Sequence, residues 1–119
     1  MPASTEPRSG LLYGWTLGEN NWNTGMDNNL LSIGRFGLHL SVKNRTTTAP
    51  PTSGNVAGDS YIVATSSTGA WAGRSGQIAL WTGTAWAFGV PRVGWVAYVE
   101  AEEKLAAYKS TGWSAGVAL

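Results

Sequence analysis

The stretch IALWTGTAW (78–86) returns, with changes, as LAAYKSTGW (105–113). Ile78 aligns with Leu105, Trp81 with Tyr108 and Trp86 with Trp113, each pair 27 residues apart. Between the aromatics lie turn formers, Thr82-Gly83-Thr84 in one copy and Lys109-Ser110-Thr111 in the other. Two short apolar runs around such a turn read as a β-hairpin, and an aromatic at each foot supplies a cross-strand pair. No other feature restricts the fold as much, because two hairpins of one design imply a duplicated antiparallel unit.

Upstream the correspondence is weaker but continues. Residues 60–64 (SYIVA) and 94–99 (GWVAYV) both read as short apolar strands, preceded by Pro51 with Gly54 and by Pro91 with Gly94. Residues 59–119 therefore read as an antiparallel β domain, two copies of strand–loop–strand–turn–strand. The first copy's loop, 65–76, is long, glycine-rich and carries Trp71, the kind of segment on which binding concentrates. The second copy's loop, 100–104, is short and charged and reads as a plain surface turn. In the strand after Gly94, Trp95, Ala97 and Val99 alternate with Val96, Tyr98 and Glu100. Apolar groups on both faces call for cover on both, one from the N-terminal helix and one from a second subunit.

The N-terminal third has a different grain. Residues 1–10 are polar, hold Pro2 and Pro7, and read as a flexible arm. Residues 11–25 set Tyr13, Trp15 and Trp22 among Gly and Asn, which favour turns. Residues 26–36 form the best helix pattern, with Met26, Leu30 and Ile33 on one face and Asn23, Thr24 and Asp27 at its start. Gly34 and Gly37 imply a short helix, or one held by tertiary contacts. Residues 38–43 alternate as a strand does, yet also fit the tail of the helix. We divide the chain into the arm, an assembly and anchoring segment (11–45), a Pro/Gly connector (46–58) and the β domain. The expected class is α+β, β-dominated. Asn44-Arg45-Thr46 matches a glycosylation acceptor pattern, which carries no meaning in a bacterial or viral setting.

A chain of 119 residues makes one domain. Its net charge of +1, from 8 basic and 7 acidic residues without a basic stripe, argues against nucleic-acid binding. Absence of cysteine removes disulfides, thiolate metal sites and cysteine nucleophiles, and a single histidine, His39, removes His-pair zinc sites. No cofactor or metal is expected. No apolar run is long enough to insert in a membrane, and the polar start does not read as a secretory signal. Nothing places His39 with Asp27 or Asp59 and a serine, no GxSxG elbow occurs, and Glu100, Glu102 and Glu103 read as a solvated turn. We expect no catalytic residues.

What remains unusual is 7 Trp against 2 Phe. Tryptophan suits surfaces with one wet side. Trp71, Trp86 and Trp113 are candidates for stacking on sugar rings. The plainer alternative, favoured for Trp81, Trp86, Trp95 and Trp113, is the core of a small sheet. Tyr13, Trp15, Trp22, Met26, Leu30 and Ile33 are candidates for an assembly interface, where aromatics are enriched and charges depleted. For Trp15 and Trp22, packing on the neighbouring helix is the alternative.

The run GWTLGENNWNTGMDNNL, the TAPP connector, GDSYIV, GAWAG, the IALWTGTAW hairpin and GWVAYV occur in this order across residues 11–115. Together they resemble an uncharacterised-function domain of tail-fibre, spike and host-specificity proteins. Those belong to phages, prophages and gene transfer agents of alphaproteobacteria. The resemblance implies a virion structural protein, made in the bacterial cytoplasm and carried on the extracellular particle. Such a short chain suits a short fibre, spike or decoration subunit. It would associate with itself as a homotrimer and with other virion proteins, and its outward face would touch host cell-surface polysaccharide. The alternative function is a glycan-binding receptor module acting through exposed Trp residues.

Overall fold

A computed structural model describes residues 4–119. It falls into two compact units, one ending at Leu38 and the other running from His39 to Leu119.

In the N-terminal unit, β1 (Ser4–Thr5) pairs antiparallel with β2 (Leu12–Tyr13). The turn between them is held by Glu6, whose carboxylate accepts the amides of Arg8 at 2.8 Å and Ser9 at 2.7 Å. Hydrogen bonding from the Ser9 side chain, then from the Arg8 and Ser9 amides, lowers the Glu6 carboxyl to about 2. Residues 4–10 are thus a hairpin and not the free arm expected from their polarity; residues 1–3 lie outside the described residues.

Helix α1 (Trp22–Ser32) begins four residues before the expected Met26. Asn21 precedes it at φ 68°, a left-handed conformation that Asn tolerates. The helix does not stop at Gly34. Residues Ile33–Gly37 continue as a π-helical turn, closed by the Leu38 amide donating to the Ile33 carbonyl at 2.8 Å. The glycines loosen the winding without ending it.

The second unit is all β apart from one 3₁₀ turn, Gly69–Trp71. Its strands are β3 (Ser41–Val42), β4 (Ser60–Ile62), β5 (Ile78–Trp81), β6 (Trp86–Gly89), β7 (Val96–Val99), β8 (Lys104–Lys109), β9 (Gly112–Trp113) and β10 (Val117–Ala118). One sheet is β4-β5-β6, antiparallel throughout. The other runs β10-β8-β7-β3, with β9 also on β8 and β3 parallel to β7. The duplication is real at the level of pairing: β4-β5-β6 and β7-β8-β9 share one antiparallel plan. Trp81 faces Trp86 across the first hairpin and Tyr108 faces Trp113 across the second. Their rings meet edge to face at 5.1 and 5.2 Å, an arrangement the ring quadrupoles favour.

The two sheets are seamed by the segment 40–44. On one side the Leu40 carbonyl accepts the Tyr98 amide at 3.0 Å and the Val42 carbonyl accepts the Glu100 amide at 2.9 Å. On the other, the Lys43 amide donates to the Ser60 carbonyl at 2.8 Å and the Asn44 carbonyl accepts the Ile62 amide at 3.2 Å. This selects a strand over the helix tail for Ser41–Val42 only; Leu38 still caps the π-helical turn, and His39, at φ 52°, breaks the alternation expected over 38–43. The seam also moves 39–45 out of the helical segment and into the β unit, because backbone groups of 40–44 are satisfied from both sides.

The core of this unit has two parts. Val42, Ile62, Ile78, Ala97, Val99 and Ala106 are buried. Tyr61, Val63, Trp71 and Ala79 make a second cluster, flanked by Trp86 and Phe88. Tyr61, Ala79 and Phe88 are direct cross-strand partners. The small Ala79 between two rings leaves room for the Trp71 indole.

Candidate functional site

The helix of the N-terminal unit presents an inverted surface. Toward the hairpin segment it turns its smallest and most polar positions. Gly25 packs under Trp15 so closely that a Cβ there would lie 2.3 Å from the ring. One turn on, the Asn29 side chain pairs with the Leu12 backbone like a strand edge. It accepts the Leu12 amide and donates to the Leu12 carbonyl, both at 2.8 Å. The apolar stripe then faces away. Trp22 is 55% exposed, Met26 38%, Leu30 62% and Ile33 40%. These recur at i, i+4, i+8 and i+11, so they form one continuous strip along the helix. Tyr13 is exposed as well. Of the expected assembly residues, Trp15 is the one absorbed by local packing.

Two of the three expected sugar-stacking residues, Trp71 and Trp86, meet edge to face, while Trp113 stands on the second hairpin. Trp71 is 0% exposed, with Tyr61 at 5.3 Å and Trp86 at 5.1 Å between ring centroids. A ring so enclosed offers no face to a ligand, which corrects its assignment as a stacking residue. The physical reason is that its loop folds inward. Thr68 donates its amide to the Thr48 carbonyl, Ser67 Oγ donates to the Trp71 carbonyl at 2.7 Å, and Ser75 Oγ donates to the Ala64 carbonyl. Among the described residues the buried Trp71 indole N–H has no hydrogen-bond acceptor, and the rings of Tyr61 and Trp86 lie against the indole. Trp113 is half-buried and spends its indole N–H on the Gly76 carbonyl at 2.8 Å, tying the second hairpin to the first copy's loop.

Trp86 is half-buried and immobilised by three rings, Tyr61, Trp71 and Trp81. With Trp81, also half-buried, it lines an open cleft of about 720 Å³ whose other wall is the connector, 49–55. Trp81 was expected only in the core; its place in this cleft follows from the hairpin foot lying beside Pro50 and Pro51.

The acidic turn after β7 is not merely solvated. The Arg45 guanidinium binds both carboxylate oxygens of Glu102, through Nε at 2.8 Å and Nη2 at 2.7 Å. It also donates to the carbonyls of Ser114 and Ala115, each at 2.7 Å. Glu102 raises the Arg45 pKa, and Arg45 in turn holds the Glu102 carboxyl below its ordinary value. Glu100 accepts the Ser41 hydroxyl at 2.7 Å. Asn44 Oδ1 accepts from the amides of Thr46 and Thr47 and from the Thr47 hydroxyl. The Asn44-Arg45-Thr46 motif is therefore a turn followed by a latch. A lone Arg just before the connector, with a Glu-rich turn downstream, is the sequence signal for it.

Comparison with curated proteins and with solved structures gives no match. A protein-family model does match, over residues 27–114, which takes in the second half of α1, the seam, both hairpin copies and the Arg45–Glu102 pair. That span is most of the chain, and by it the chain belongs to the family described as Protein of unknown function (DUF2793).

Proposed function

We propose that this protein is a structural subunit of a phage or phage-like particle, a short fibre, spike or decoration protein that works as an assembly. The outward apolar stripe Trp22–Met26–Leu30–Ile33 carries this reading. A helix normally buries such a stripe, and here the face that packs locally is the Gly25–Asn29 face instead. Contiguous exposed apolar surface of this kind marks an interaction site. A low charge content and a net charge of +1 favour association further. The order of motifs from GWTLGENNW to GWVAYV, similar to virion proteins, supplies the setting. In that setting the partners are two further copies of this chain and neighbouring virion proteins. The place of action is the extracellular particle.

The test is analytical ultracentrifugation of the full chain, beside a Met26→Glu/Leu30→Glu variant. Both positions are exposed, so the variant keeps its fold by circular dichroism. The expected result is a trimer that the variant converts to monomer. A wild type that stays monomeric at high concentration, and that antibodies do not detect on gradient-purified particles, overturns the reading.

A further inference from the structure

We propose that the cleft between the connector and the Trp81–Trp86 corner binds an uncharged saccharide. None of the residues lining it is ionisable. A charged ligand would lose hydration there without gaining a counter-charge, so the cleft selects against ions. Its walls are otherwise of two kinds. Trp81, Trp86 and Pro51 give apolar faces, while Thr52, Ser53 and Asn55 bring hydroxyls and an amide. Sugars have this same division, C–H faces for rings to cover and a rim of hydroxyls for polar groups.

The site is also built before any ligand arrives. Trp86 is locked by its three aromatic neighbours, and the buried Trp71 backs it. Asn55 Nδ2 donates to the Pro51 carbonyl at 2.7 Å, which fixes the side-chain amide at the connector wall. The turn beyond it is closed by the Asp59 carboxylate accepting the Val56 amide at 2.9 Å. Little conformational freedom remains to be lost on binding. A volume of about 720 Å³ lies within the range of ligand sites. The two indole planes meet at 60°, a corner. A polyproline helix is gripped instead by a groove between parallel aromatic ridges. That geometry favours a sugar over a proline-rich peptide. The assignment does not depend on the particle, since a lone copy carries the whole cleft.

The test follows the indole N–H signals of the full chain by ¹⁵N–¹H NMR. Neutral oligosaccharides of glucose, galactose and mannose are titrated, with decaproline and heparin as separate arms. Saturable shifts of Trp81 and Trp86, with Trp15 and Trp22 unmoved, are expected for one of the neutral sugars, at about millimolar affinity for so shallow a site. Trp81→Ala should weaken that binding about tenfold or more. Because Trp81 also touches Trp86, Ser53→Glu is the second variant; it sits on an exposed loop, leaves the fold alone and should abolish binding by charge. No response to any neutral sugar overturns the proposal. So does a response to decaproline or heparin alone, or a sugar response that survives both variants.

Discussion

The two copies of the repeated unit solve one packing problem in two ways. Each is a strand followed by an aromatic-footed hairpin, yet the first copy fills its open face from within and the second is fastened from without. In β4-β5-β6, the loop between the first two strands folds back and drops Trp71 onto Ala79. In β7-β8-β9 the corresponding loop is only a tight turn and has nothing to insert. That turn is instead gripped by Arg45, which reaches the Glu102 carboxylate and two carbonyls after β9. Equivalent positions diverge accordingly: Ile78 is 0% exposed and Leu105 41%. A duplicated backbone plan thus leaves each copy's stability in different hands, one apolar and one ionic.

The contrast breaks most visibly at Trp71. Trp71→Ala should cost about 3–5 kcal/mol in denaturant unfolding, since the cavity is walled by strands that cannot collapse. A loss below about 1 kcal/mol would mean that the loop is no plug. Next in size is the paired substitution Ile78→Ala and Leu105→Ala. The first should cost about 2–5 kcal/mol and the second about 0.5 kcal/mol or less; equal losses would erase the asymmetry between the copies.

The latch gives a smaller effect than the Trp71 plug, and the one that depends on pH. Arg45→Ala should cost about 1.5–3 kcal/mol near neutrality, for a charged group with several hydrogen bonds, toward the low end because the pair is partly solvated. Glu102 is held below its ordinary value by Arg45, so the native state binds its proton less readily than the unfolded chain. Its contribution is complete above the ordinary carboxylate range and drains away as pH falls through the lowered native value. The gap in melting temperature between wild type and Glu102→Gln should therefore be widest near neutrality and narrow steadily below about pH 4. A gap independent of pH would show that the ion pair contributes nothing.

The hairpin pairs were readable because two aromatics around a short turn leave few other registers. The same arithmetic placed an aromatic at each foot of both hairpins, and the edge-to-face geometry of their rings came from the structure. Whether Trp71 pointed in or out was not readable. Its loop has no periodicity, and its position depends on tertiary partners outside the loop, the Tyr61 and Trp86 rings beside it and the Thr48 carbonyl that holds Thr68. The helix start was missed for a related reason. Gly25 counts against a helix by propensity, and only the Trp15 ring above it explains why nothing larger fits. The N-terminal hairpin was hidden because two-residue strands carry almost no pattern, and Glu6 reads as one more solvated charge. Met26, Leu30 and Ile33 were correctly grouped by spacing, but spacing does not say on which side of the helix the rest of the unit lies.

The seam at 40–44 sets a schedule for how the molecule is made. Ser41 and Glu100, joined across it, are 59 residues apart. Contacts so distant along the chain close slowly and late. While the ribosome is still extending the C-terminal half, β4-β5-β6 and the 40–44 segment have emerged, but β7 has not. One edge of the nascent seam then stands bare, with Val42 uncovered, and an open edge of that kind invites pairing with another chain. Arrival of β7 removes the hazard, so the order of synthesis places the vulnerable interval before Val96–Val99 has been made.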